Sequence, residues 1–423
     1  MIRRPLSSFE KSFATSNESV ILGIQLSHPK HVPKVIQNFQ KSLMSLHLRI
    51  ENDDIVFKKD LNIVKMPNYI KNAYDAAEYM SDNNQFMQLS KSLGTIGVKD
   101  DLICVSAAHL CTDGKSLATA LEHCMDDISG NEEIKPVFPV SVETLFSDFI
   151  KDHTKDKESE IFKKHSTLVP RKNYYPEDFA KYMTNRYFMT EIPLPELKCF
   201  DPNTKSLHHL TEYLWLSVIL PAAVIGDSKD KLGCTSCVNL RPFITKEMMQ
   251  KYVPDNNEFS IGNCFTSPTV FADNVDQDQT IGNLMKQLRS NFKNSLRNGQ
   301  LQSAVKVLIE GFPFLSNDVI FHQNSNVGTM KAPKEVVDLH INNRIRSTSF
   351  QVLACLISYG KKSFGKDVMV PRFHYAPTTG SDLDYKKIYE SAKFILKEVT
   401  ANMTLRETYK QIQNVQDSIR FID

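Results

Sequence analysis

Between Ile103 and Leu121 the chain reads ICVSAAHLCTDGKSLATAL and changes its period once, abruptly. An apolar, β-branched run of the kind buried on both faces of a sheet stops at His109. Beyond Asp113 and Gly114, apolar residues recur at helical spacing. A buried strand that feeds a helix through so short a loop points to a mixed α/β fold. Earlier segments carry the same signature: SVILGIQLS predicts a strand, VPKVIQNFQKSLMSL a helix, and LRIENDDIVFKK a hairpin through Asn52 to Asp54. The helix after the motif, GKSLATALEHCMDDI, is expected to end before Gly130.

The segment KDHTKDKESEIFKKHS is charged and poor in apolar residues, and Pro170, Pro176, Pro193 and Pro195 follow it. It reads as a surface connection. A chain of 423 residues exceeds one ordinary core, so two domains are expected. They would be residues 1–195, with the connection from about 151, and residues 196–423. In the second half, LHHLTEYLWLSVILPAAVI predicts a helix, CTSCVNLRPF a strand entering a polar turn, and TIGNLMKQLRSNFKNSLRNGQLQSAVKVLIEGF one or two long helices. Strands EVVDLHINNRI, FQVLACLISYG and VMVPRFHYA follow, before a closing helix, YKKIYESAKFILKEV. No short-period repeat is present.

Composition excludes several classes. With 51 basic against 49 acidic residues there is no whole-protein electrostatic case for nucleic acid. Eight scattered cysteines with no framework spacing suggest reduced thiols in the cytosol. Cys234 and Cys237 form a lone C-x-x-C without a second pair or neighbouring histidines, so no metal site is expected. No apolar core follows Arg3 and Arg4, as a secretory signal would require. The most hydrophobic stretch, Leu214 to Gly226, is 13 residues long and contains Pro221, too short to span a bilayer. A soluble, cytoplasmic and monomeric protein is expected, with room for a terminal amphipathic helix to touch a membrane surface.

A histidine at the end of a buried strand is held by the sheet, while the loop behind it opens space for a substrate. Neutral imidazole accepts a proton near neutral pH, and deprotonating a hydroxyl or amine makes it nucleophilic. Asp113 sits in the tight loop, able to hold backbone amides or a distant arginine. Gly114 is expected to take positive φ and pass the chain into a helix beginning at Lys115. A core histidine bonded to a backbone carbonyl would give the same pattern.

HLCTDG resembles the HxxxDG signature of the chloramphenicol-acetyltransferase-like superfamily, which includes plant BAHD acyltransferases, peptide-synthetase condensation domains and fungal alcohol O-acetyltransferases. Other pieces fall in that family's order. RRPLSSFEKSF is similar to the opening of the fungal branch, LHLRI to the strand after its first helix, and LTEYLW to the helix opening the second domain. VNLRPF with IGNCF resembles its paired Asn-x-Arg and Gly-Asn segments, and NSNVGTM its late Ser-Asn-x-Gly segment. Condensation domains usually carry two adjacent histidines, whereas Ala108 precedes His109 here, and no carrier-protein segment is attached. The plant Asp-Phe-Gly-Trp-Gly motif has only SFGKD as a local match, without its aspartate and tryptophan. The fungal alcohol acetyltransferase branch fits better.

The resemblance implies two similar mixed-sheet α/β domains with an active-site tunnel between them and His109 at its midpoint. Acyl-CoA would be a co-substrate rather than a tightly bound cofactor, and the partner a small alcohol or amine. It implies His109 as general base and Asp113 turned away from the substrate toward an arginine, for which Arg241 of VNLRP and Arg49 of LHLRI are both available. Gly114, Asn239 and Arg241 would support the site; Ser325 and Asn326 of NSNVG are candidate oxyanion or substrate contacts, although a polar turn at Gly328 would read the same. Cys111 is read as a loop filler and Lys361, Lys362 and Lys366 as a solvated loop, the alternative for the lysines being CoA phosphates. A non-catalytic member of the same fold and a carrier-dependent condensation enzyme are the other readings.

Overall fold

Two mixed β-sheets organise the chain, seen in a computed structural model that describes residues 2–83, 88–127, 137–171, 186–253, 257–310, 318–344, 353–376 and 379–420. The first has the strand order Val336–Arg344, Ser19–Leu26, Leu102–Ala108, Gly94–Lys99, Ile63–Lys65, and only its last pair is parallel. The second runs Ile192–Pro193, Lys366–Tyr375, Leu353–Ser363, Val319–Thr329, Leu232–Ser236, Thr269–Ala272, with Val169–Pro170 and Arg186–Met189 pairing beside this path.

Strand Ser19–Leu26 is almost continuously apolar because both its faces are covered. Val20, Leu22 and Ile24 pack with Val35, Phe39, Leu117 and Leu121 of the helices Val32–Ser42 and Gly114–Glu122. Ile21 packs on the other face against Ala76, Ala77 and Met80 of helix Ala73–Asp82. The expected hairpin joins Leu48–Glu51 to Asp54–Phe57 through Asn52 and Asp53, whose φ values of 49° and 65° suit a two-residue turn.

The sheets exchange strands. Val336–Arg344, from the second half, pairs along Ser19–Leu26, with Arg344 opposite Ser19. Val169–Pro170, Arg186–Met189 and Ile192–Pro193, from the first half, join the second sheet. The division expected near Pro195 is thus crossed in both directions. Without the crossover strand, the ladder groups of a fully buried strand would have no partners on that side.

Helix Leu210–Ile225 is apolar all round because it is buried all round, under the second sheet and helices Ile281–Ser295, Asp382–Glu398 and Leu405–Ser418. Its Trp215 Nε1 donates to Ser236 Oγ at 2.9 Å. No helix among the described residues is long and apolar enough to cross a membrane. The two long helices of the second half part at Gly299, where φ is 83°. NSNVG lies not in a turn but within strand Val319–Thr329, where the register shifts between Asn326 and Gly328. Helix Asp382–Glu398 does not close the chain: Leu405–Ser418 follows, opened by a capping box of Thr404 and Glu407. The motif helix ends at Glu122; Gly130, like Pro176, lies outside the described residues.

The largest departure is the charged connection, which contains a docked helix, Asp156–His165. Acidic residues occupy its first turn and Lys163, Lys164 and His165 its last, as the helix dipole favours. One narrow stripe is buried. Phe162 meets Phe321 edge to face at 5.2 Å, and the Glu158 carboxylate accepts from Thr269 N at 2.7 Å, Thr269 Oγ1 at 2.6 Å and Gln300 Nε2 at 2.9 Å. Burial pushes Glu158 up to about 7 against these bonds. Phe162→Ala should therefore cost about 3–5 kcal/mol in denaturant unfolding, as for a core phenylalanine. A solvated connection would lose less than about 0.5 kcal/mol.

Candidate active site

The ladder between Ser19–Leu26 and Leu102–Ala108 runs one residue beyond the strands: His109 N donates to Glu18 O at 2.8 Å. Cys111 N then bonds Ala108 O at 3.2 Å, the chain turns, and Asp113 caps the helix Gly114–Glu122. Oδ1 of Asp113 accepts from Ser116 N at 2.8 Å and Ser116 Oγ at 3.0 Å. The helix begins at Gly114 rather than Lys115, and Gly114 does not have positive φ. Its need for glycine is steric: a Cβ there would lie 3.1 Å from a Val327 methyl of the second sheet.

Oδ2 of Asp113 faces the second half of the chain. It accepts from Arg241 Nη1 at 2.8 Å and from Cys264 N at 2.9 Å. Arg241 Nη2 donates in turn to Ser116 Oγ at 2.8 Å and Gly262 O at 2.7 Å, and Asn239 Oδ1 accepts from Arg241 N at 3.1 Å. Burial raises the Asp113 carboxyl, but the guanidinium and the amides of Cys264 and Ser116 outweigh it and hold the group below its ordinary value. Of the two arginines available by sequence, Arg241 meets Asp113, while Arg49 pairs with Glu51.

Because this bond carries the Cys264 amide, it also delivers the residue before it. Asn263 Nδ2 bonds the His109 carbonyl and lies 3.1 Å from His109 Nδ1. Phe13 and Phe265 flank the imidazole, with ring centroids at 5.0 and 5.8 Å. Burial pushes His109 below its ordinary range, against the pull of Asp113 and of two backbone carbonyls, its own and that of Thr112.

Ser325 and Asn326 separate. Alternation along the strand turns Ser325 to the face that carries Val327, beside the motif helix, where it also bonds Cys237. Asn326 turns to the opposite face and accepts from Ser358 Oγ at 3.3 Å. Cys111 is buried, and burial pushes its thiol up to about 12. Cys234 and Cys237, three apart on extended chain, fall on opposite faces, and no group of residues that could hold a metal occurs among those described. Lys361, expected to be solvated, is buried: it pairs with Asp338 at 2.9 Å and Glu191 at 2.7 Å.

Sequence reasoning did not single out Asn263, Ser116, Phe13, Phe265 or Glu18. Asn263 had a signal in IGNCF; the others carry none, since the fold alone brings them to His109 or Asp113. Beside Arg241, a cavity of about 370 Å³ is lined by Lys115, Ser116, Thr119, Asn239, Met249 and Phe259, among others.

The Asp113–Arg241 pair yields a stability test. Asp113→Ala or Arg241→Ala should each cost about 3–5 kcal/mol, because either change strands a buried charge. The double variant should be little worse than either single one, and additive losses in a double-mutant cycle would show that the pair is not coupled.

Neither a family model nor a curated protein matches the sequence. Solved structures do. Polyketide synthase associated protein 5 from Mycobacterium tuberculosis has a TM-score of 0.61 at 13% identity, covering 93% of this chain and 98% of that one. The condensation domain of the Monacolin K polyketide synthase MokA has 0.64 at 11%, covering 96% and 99%. The starter condensation domain of rhizomide synthetase RzmA, as a variant in complex with C8-CoA, has 0.61 at 10%, covering 94% of each chain. At such identities a likeness speaks of architecture, and it spans nearly the whole molecule. The chain has the two-lobed, chloramphenicol-acetyltransferase-like fold of condensation domains.

Proposed function

We propose that the protein is an acyl-CoA-dependent acyltransferase that moves an acyl group to a hydroxyl or amine, with His109 as general base. The observation that carries this reading is a neutral, largely desolvated imidazole whose Nδ1 edge is occupied by local partners, on a loop locked by Asp113 and Arg241. Nε2 takes the acceptor's proton, and the oxygen or nitrogen attacks the thioester carbonyl. The resulting oxyanion collapses with loss of CoA thiolate, which receives the proton back from the imidazolium. No step calls for a metal or a covalent enzyme intermediate.

The oxyanion needs a hydrogen-bond donor. Ser325, facing the motif helix, is the better placed of the two sequence candidates, since Asn326 points away. A neighbour solved with C8-CoA supports an acyl-CoA donor. The resemblance of RRPLSSFEKSF to the opening of the fungal branch favours an alcohol O-acetyltransferase. The abundance of condensation domains among the structural neighbours favours the second reading, transfer from a carrier-bound thioester, and Ala108 in place of a first histidine weighs against it.

Thiol release from acetyl-CoA and longer acyl-CoAs should depend on the acceptor when tested with a panel of alcohols and amines. Silence across the panel would leave a binding or carrier-dependent protein. His109→Ala should lower kcat/KM by about 10²- to 10⁴-fold with little change in Tm. In the wild type, kcat/KM should be flat at neutral pH and fall on the acid side with an apparent pKa below the ordinary 6.5 of imidazole, because burial favours the neutral base. Cys111→Ser should retain activity; its inactivation with folding intact would revive a thiol nucleophile.

A further inference from the structure

Glu18 is the ionisable group beside His109 that the chemistry above leaves without a task. Its carbonyl accepts the His109 amide at 2.8 Å, and Ser19 stands opposite Ala108, so Glu18 and His109 form the next cross-strand pair. Residues so paired project to one face of the sheet, with Cα atoms about 5.5 Å apart. That face carries Val20 and Ala107 toward the second sheet, whose Cys355 feels the Glu18 charge.

What surrounds the carboxyl is short of positive charge. The Ser16 hydroxyl bonds it; His109 stands across the strand; Cys355 faces it from the second sheet, with Cys237 and Cys234 near that thiol. Arg344, opposite Ser19, belongs to the other face, where it acts on Asp82. Arg241 is committed to Asp113. Among the described residues no ion pair involves Glu18. With desolvation opposed only by Ser16, its pKa is raised to about 7.

We propose that Glu18 is an acceptor-binding residue, whose carboxylate holds a non-reacting ammonium group of the acceptor while a neighbouring hydroxyl is presented to His109. This rests on the acyltransfer reading and narrows its acceptor to amino alcohols. Two side chains leaving about 5.5 Å apart in one direction are spanned by a molecule that offers a hydroxyl to one and an ammonium to the other, the groups about two or three carbons apart. The ammonium keeps its proton throughout. Nε2 of His109 removes the hydroxyl proton, the ester C–O bond forms as the thioester C–S bond breaks, and the proton leaves with CoA. An ammonium supplies the counter-charge that the half-buried carboxyl lacks; a neutral alcohol of the same shape does not, and leaves Glu18 protonated.

The test compares an amino alcohol with the neutral alcohol in which a methyl replaces the ammonium, using the full chain and acetyl-CoA. The ratio of their kcat/KM values should favour the amino alcohol in the wild type. It should rise with pH through about 7 as Glu18 ionises, and His109 cancels because both acceptors need it. Glu18→Gln should reduce the ratio by roughly 10- to 100-fold, mainly through KM for the amino alcohol, and flatten its pH dependence. Glu18→Asp should recover part of the preference and serves if the glutamine variant folds poorly. An unchanged ratio in both variants would overturn the proposal. So would an equal loss of turnover for both acceptors at unchanged Tm, which would put Glu18 in the chemistry. Binding is read separately, as the rise in Tm with each acceptor in the absence of CoA. Should no acyl transfer occur, a rise specific to the amino alcohol and lost in Glu18→Gln would sustain the subsite while the acyltransfer reading falls; equal shifts would sink the subsite.

Discussion

A single buried ion pair joins the halves of the site. Asp113 belongs to the loop after a first-sheet strand, Arg241 to a turn after Val238–Asn239, a strand of a small two-stranded sheet, and their 2.8 Å contact sets one against the other. The same carboxylate caps the motif helix and accepts the Cys264 amide, so one side chain orients three pieces of backbone. A pair of this kind adds little net stability over an apolar contact, but breaking it is expensive. Its use is positional: wherever Arg241 goes, Gly262, Asn263 and Cys264 go with it, and Asn263 is what steadies His109.

The histidine is tuned from both lobes. Phe13 comes from the N-terminal helix and Phe265 from the second half, and between them they dry the ring enough to keep it neutral. The carbonyls of His109 and Thr112 draw the opposite way, toward the charged form. An imidazole balanced like this accepts a proton readily and releases it readily, as the proposed acyl transfer would require.

Much of the fold could be read from period alone, because strands such as Ser19–Leu26 and Leu102–Ala108 are apolar on both faces and helices such as Val32–Ser42 on one. His109 and Asp113 were legible for the same reason: the candidate site sits where the period changes. What failed was whatever composition averages away. Asp156–His165 counts as charged, yet three buried side chains on one stripe are enough to dock it. Gly114 suggested a special backbone, whereas the demand comes from Val327, more than two hundred residues away in sequence. Glu18, in the polar NES before a strand, looks like an ordinary turn residue until the ladder sets it opposite His109. The choice between Arg241 and Arg49 lay in how the lobes close, and spacing holds no information about that.

The crossover strand imposes an order on synthesis. Ser19–Leu26 is synthesised well before its partner Val336–Arg344, which follows more than three hundred residues later. At ~5–20 residues per second the wait is roughly a quarter of a minute to a minute. Throughout it, a strand made of SVILGIQL has one unpaired edge and part of its apolar face uncovered, the features that recruit other chains. For this chain the hazard of aggregation is therefore concentrated in the interval before Val336–Arg344 is made.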